Sequence, residues 1–103
     1  MATEELIRNA SLTIGTDAVV VAEEQYGTKR NVLVITNTST GGQTITISAA
    51  TQAVAGQGIV LSPGGYYADS ADSGYIPTNR RVTAISSAAG GTVAIHERII
   101  MKV

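Results

Sequence analysis

Residues 30–48, RNVLVITNTSTGGQTITIS, narrow the folding options more than any other stretch. Val32, Leu33, Val34, Ile35 and Thr36 make one β-branched and aliphatic run, and Thr44, Ile45, Thr46 and Ile47 make a second. Between them lies a polar break from Asn37 to Gly42. Such side chains suit a pleated, half-buried surface, and Gly41-Gly42 supplies positive φ for a reversal. The stretch therefore predicts a β-hairpin. Arg81 to Glu97, RVTAISSAAGGTVAIHE, repeats the pattern, with Val32 matching Val82, Ile35 Ile85, Gly41 Gly91 and Ile45 Ile95. The segments between do not match, which favours convergence on a good hairpin over duplication. Two hairpins whose apolar faces meet across a core are the expected arrangement.

The rest of the chain adds short strands. Ser11 to Ile14 alternates apolar and polar, Gly15-Thr16-Asp17 is a turn signal, and Ala18 to Ala22 is a continuous apolar run. Glu23 to Lys29 is a polar loop. Ala49 to Gln57 reads as a loop or a weak strand around Val54. Gly58 to Ser62 is a strand, Pro63-Gly64-Gly65 a sharp turn, Tyr66 to Ala68 another strand, and Asp69 to Asn79 a long polar loop. Turn signals about every ten residues predict an all-β, single-domain antiparallel sandwich or small barrel, jelly-roll-like, with seven or eight short strands and little or no helix. The division is an arm or short helix over residues 1–10, a β-sandwich over 11–98 and an apolar tail over 99–103. Glu4 and Glu5 would suit a helix N-terminus, while an extended arm on a neighbour is the alternative. The tail, Ile99-Ile100-Met101-Lys102-Val103, either continues the last strand into the core or adds to a neighbour's sheet edge.

Composition bounds function by exclusion. A chain of 103 residues makes one domain. Net charge is −1, and its seven basic residues are scattered apart from Lys29-Arg30 and Arg80-Arg81. A nucleic-acid binder shows a dense basic face with aromatics, so direct nucleic-acid binding is not expected. With no cysteine there is neither a disulfide framework nor a thiolate metal site. No stretch reaches the roughly 18 apolar residues of a membrane helix, and MATEELIRNA lacks the pattern of a secretory signal. No membrane partner and no export are expected.

No cluster of residues announces a reaction. His96, the one histidine, stands beside Glu97, which suggests a base oriented by a carboxylate. In a strand, however, Val93, Ile95 and Glu97 share one face, and Ala94, His96 and Arg98 share the other. A solvent-facing strand histidine is the simpler reading. Asp69, Asp72 and Ser73 lack the spacing and the final glutamate of a calcium loop. Gly56-Gln57-Gly58 precedes a strand, so no helix terminus backs it for phosphate. Neither catalytic residue, metal nor cofactor is expected.

Binding is the better-supported role. Tyr66, Tyr67 and Tyr75 fall within ten residues, and tyrosine offers ring area with a water-tolerant hydroxyl. The opposing reading makes one of Tyr66 and Tyr67 core and the other surface. The residues expected to meet a partner are Tyr66, Tyr67, Tyr75, Ile76, Arg80, Ile99, Ile100 and Met101.

Three stretches carry a family resemblance: Asn37-Thr38-Ser39 after a strand, Gly58 to Gly65 (GIVLSPGG), and Val82 to Glu97 (VTAISSAAGGTVAIHE). Over about Arg30 to Arg98 the chain resembles small structural proteins of tailed bacteriophages, in particular β-sandwich decoration or cement proteins of the capsid. The resemblance implies a non-enzymatic virion protein on the capsid exterior, assembled in the host cytoplasm. It would bridge major capsid protein subunits against the pressure of packaged DNA, itself as a dimer or trimer. A tail, neck or baseplate protein, or a small carbohydrate- or receptor-binding β module, is the alternative.

Overall fold

The computed structural model describes residues 3–70 and 77–102, with side-chain placement for 5–70 and 77–100. These residues form eight antiparallel strands and no helix: β1 (Thr3–Ile14), β2 (Val19–Ala22), β3 (Thr28–Asn37), β4 (Ile45–Ala49), β5 (Ile59–Leu61), β6 (Tyr66–Ser70), β7 (Val82–Ser86) and β8 (Gly91–Lys102). They make two four-stranded sheets, ordered β1-β8-β3-β6 and β2-β7-β4-β5. Stacked face to face, these are the two sheets of a jelly-roll sandwich.

Alternation builds the core. In β8, Val93, Ile95 and Ile99 point inward between half-exposed neighbours, and in β3 Leu33 and Ile35 do the same. Ile45 and Ile47 of β4, Val82 and Ala84 of β7, and Leu61 of β5 meet them from the other sheet, with Ile14 closing one end.

The pairing corrects the expected hairpins. β3 and β4 belong to different sheets, as do β7 and β8. β3 pairs with β8, and β4 with β7. Each stretch read as a hairpin is a crossover from one sheet to the other. Asn37 is fully buried at that corner. Its Nδ2 donates to Gln43 O and Leu61 O, both at 2.9 Å, and its Oδ1 accepts from Ser39 N at 2.9 Å. At the β7–β8 corner Ser86 Oγ donates to Ala88 O at 2.6 Å. A Cβ on Gly91 would stand 2.5 Å from Ser86 Oγ, which is why glycine begins β8.

Thr3–Asn9, for which helix and arm were both open, is extended and paired along β8, from Thr3 opposite Lys102 to Ile14 opposite Gly91. β1 and β8 therefore run unbroken through positions 10/11 and 98/99. Residues 50–57 are a loop with one isolated bridge, Val54 to Gln57, laid over the outside of the second sheet. Ala53 N donates to Thr83 Oγ1 at 2.9 Å and Gly56 N to Thr46 Oγ1 at 3.0 Å, so both outward-facing threonines are covered.

Candidate interaction surface

The molecule is elongated, 47 × 23 × 22 Å, because β1, β8 and the start of β3 outrun the sandwich. What ends the core is a buried arginine. β3 shifts register between Arg30 and Val32 against β8, leaving Asn31 as the extra residue of a bulge. The bulge turns Arg30 inward, opposite Ile99, where strict alternation would have sent it outward with Val32 and Val34. Arg30 is fully buried. Its Nε donates to Glu97 Oε2 at 2.6 Å, Nη2 to Glu23 O at 2.5 Å, and Nη1 to Arg80 O at 3.2 Å and to Thr78 O. Asn79 Oδ1 accepts from the Arg30 amide at 2.9 Å. The other carboxylate oxygen, Glu97 Oε1, takes Arg8 Nε at 2.9 Å, and Arg8 Nη2 donates to Val21 O at 2.7 Å. One guanidinium thus ties β3, β8 and the loops around Glu23 and Thr78 into a plug, with every described buried side-chain polar atom partnered.

Beyond the plug, residues 3–7, 28–29 and 100–102 continue as a three-stranded ribbon. Leu6 and Ile7 are each 51% exposed there, one on each face, and Ile100 is half-buried on the face shared with Glu5 and Arg98. Arg98 pairs with Glu5 across β8 and β1. On the long outer face of the same sheet His96 lies opposite Asn9, with Nδ1 2.7 Å from Asn9 Oδ1. Ser11, Ala94, Val34 and Thr36 complete a shallow groove of about 420 Å³ around it. Glu97 is not the partner of His96: its carboxylate lies on the other face of the sheet, against Arg8 and Arg30.

The other expected contact residues are dispersed. Tyr66 is 68% exposed, at one end of β6. Tyr67 turns inward against the core and its hydroxyl donates to Asp69. Burial and the bond to that carboxylate push the Tyr67 phenol up to about 12. Arg80 is exposed and 3.4 Å from Glu24, at the plugged end. The Tyr26 hydroxyl donates to Glu24 at 2.9 Å; that bond raises the Tyr26 phenol and, with the Arg81 amide, lowers the Glu24 carboxyl. Ile99 is only 6% exposed and belongs to the interior, which withdraws it from any contact surface. Ile100 and the Met101 backbone lie on the ribbon. Tyr75 and Ile76, with Asp72 and Ser73, lie outside the described residues, as does the Met101 side chain. Among the described residues no group of three or more His, Cys, Asp or Glu is placed to hold a metal.

Sequence reasoning missed Leu6 and Ile7 as surface and Arg30 and Glu97 as interior. A signal existed for Glu97 alone: it shares a strand face with Val93 and Ile95, which turns it toward the core.

No protein-family model matches the chain, and no curated protein matches it either. Among solved structures, a chain of the Bacillus endospore appendages, a family of disulfide-linked pili, is similar over 98% of this chain and 88% of that one, with 15% identity and a TM-score of 0.57. The Drosophila NLP core, a pentamer-forming histone binder, aligns over 92% of this chain and 95% of that one, with 18% identity and a TM-score of 0.41. The first likeness is one of fold; the second is too loose to carry an argument.

Proposed function

We propose that this chain is a non-enzymatic structural protein that docks onto a repeating protein lattice through its projecting ribbon. One observation carries the reading: the β1, β8 and β3 ladder continues past the Arg30–Glu97 plug, where there is no core left for Leu6, Ile7 and Ile100 to fill. An apolar ribbon of this kind is a contact element. A lattice presents the same contact many times, so each copy needs only a modest interface. The outer shell of a tailed-phage capsid, built of major capsid protein, is the lattice that the sequence resemblance names. Capsid shells mixed with the purified chain should carry it down on sedimentation. Ile100→Asp, which alters only the half-buried outer face of the ribbon, should reduce that binding at least tenfold with an unchanged β-sheet spectrum. Equal binding of the variant counts against the ribbon, and no binding of either protein counts against the capsid.

A second reading is a fibre subunit built from copies of this chain. The jelly roll shared with a pilus protein favours it, although the absence of cysteine rules out disulfide linkage between copies. Filaments grown from the purified chain alone, seen by electron microscopy, would select this reading.

A further inference from the structure

The four sheet edges are not equally guarded. β5 has three residues, β2 has four and a register shift, and β6 has five. β1 has twelve, in unbroken register with β8, and among the described residues no strand lies on its other side. Edges are normally protected by shortness, bulges, proline or charges that repel a partner. β1 has none of the first three. Of its charged residues with described side chains, Glu5 pairs with Arg98 and Arg8 with Glu97, both on β8. What remains along the open side is a regular backbone flanked by Leu6 and Ile7.

From this edge we infer that two copies of the chain pair antiparallel through Thr3–Asn9 of β1, about a two-fold axis at Leu6. Three arguments choose the occupant and the register. First, Arg98 offsets Glu5, but Arg8 and Arg30 share the single carboxylate of Glu97, so the edge keeps a net positive charge at Arg8 and the sequence puts a negative one at Glu4; an antiparallel second copy brings these together, whereas a parallel one stacks like on like. Second, a two-fold axis perpendicular to the sheet sets residues of one face opposite each other, so a residue must sit on the axis. With Leu6 there, Glu4 stands opposite Arg8 of the second copy; with Ile7 there, Glu4 stands opposite Ala10 and Leu6 opposite Arg8. Charge selects Leu6. Third, pairing at the projecting end leaves the two sandwich bodies at opposite ends of the joined ribbon, where they do not collide.

The contact spans about 20 Å of strand. That puts it below the roughly 1,600 Å² of a standard stable interface, so the dimer forms and dissociates with concentration. It deepens the lattice-binding proposal and rests on it for its purpose: a two-fold linker joins two attachment points where a monomer holds one.

Charge swapping at the axis tests the register. Sedimentation velocity of the full chain should show a concentration-dependent dimer. Leu6→Glu and Leu6→Lys should each sediment as monomers, since like charges meet at the axis, and an equimolar mixture should recover the dimer. Should either variant lose its β-sheet spectrum, Leu6→Cys serves instead, as the only thiol in the chain. It should form a disulfide-linked dimer under mild oxidation at least tenfold faster than Thr40→Cys, on an exposed loop. A wild-type chain that stays monomeric, a dimer indifferent to both charge variants, or a Leu6→Cys rate equal to the control overturns the inference. A monomer that still binds capsid shells overturns this pairing and leaves the proposed function standing; a Leu6-centred dimer without shell binding does the reverse.

Discussion

Arg30 Nε lies 2.6 Å from Glu97 Oε2 in the interior of an otherwise aliphatic sandwich, and both side chains are almost wholly withdrawn from water. Two charges taken from water gain little over a well-packed apolar pair, but either one left alone is expensive. Glu97→Ala should therefore lower the unfolding free energy by about 3–5 kcal/mol, measured by urea denaturation. Arg30→Met with Glu97→Leu should lose much less than the two single changes summed. Equal losses for the double and the sum would mean that the ion pair is not what closes this end.

The Asn37 corner should be nearly as sensitive. Asn37→Ala removes the donor to Gln43 O and Leu61 O and the acceptor for Ser39 N, leaving buried backbone groups bare. A loss of about 2–4 kcal/mol follows, the groups on Leu61 and Ser39 being buried and that on Gln43 only partly so. Asn37→Asp should be worse at neutral pH, because a carboxylate then faces two carbonyl oxygens. A chemical-denaturation midpoint unchanged by either substitution would show that the corner is held elsewhere.

These residues also show how far the fold can be read in advance. The strands around Val32–Thr36, Ile45–Ile47, Val82–Ile85 and Val93–Ile95 were legible, because β-branched alternation is a local property. Their pairing was not. Alternation says which face of a strand is buried, but not which neighbour lies beside it. Both pairs of runs were joined by sequences that favour a reversal, and a reversal within one sheet looks the same locally as a crossing between two. The plug was hidden for a related reason. Arg30 faces inward only because Asn31 is a bulge, and a single extra residue in a ladder leaves no mark in hydrophobic periodicity. Leu6 and Ile7 looked like anchors, since nothing local reveals that the core begins only beyond Arg8.

Tyr67 should titrate late. Its phenol is raised to about 12 from an ordinary value near 10, first by burial and then by its bond to Asp69. Because the folded value is the higher one, the stabilisation is fully present below about pH 10 and is lost as the pH rises through about 12. Absorbance at the phenolate band should show a late step that Tyr67→Phe removes. A Tyr67→Phe protein with an unchanged titration would place the late step on Tyr26, whose phenol is also raised.

Gly58 should resist substitution. Its φ is +134°, and a Cβ there would come 2.7 Å from the Ile47 carbonyl oxygen, which belongs to the neighbouring strand β4. Gly58→Ala should lower the thermal midpoint by several degrees, corresponding to about 1–3 kcal/mol of backbone strain. Gly64→Ala is the control: its φ is positive too, but the space around it is open, so its loss should be smaller.

The crossing topology also governs how the fold is reached. β1 is completed only when it meets β8, some ninety residues further along the chain, and β3 waits for the same strand. Almost every stabilising ladder therefore closes a long loop before it yields any contact, which places this domain among the slow folders, in milliseconds to seconds. During synthesis the β1-β8-β3-β6 sheet cannot close until the ribosome has made Gly91–Lys102, and until then the strand with the least guarded edge has nothing of its own to hold.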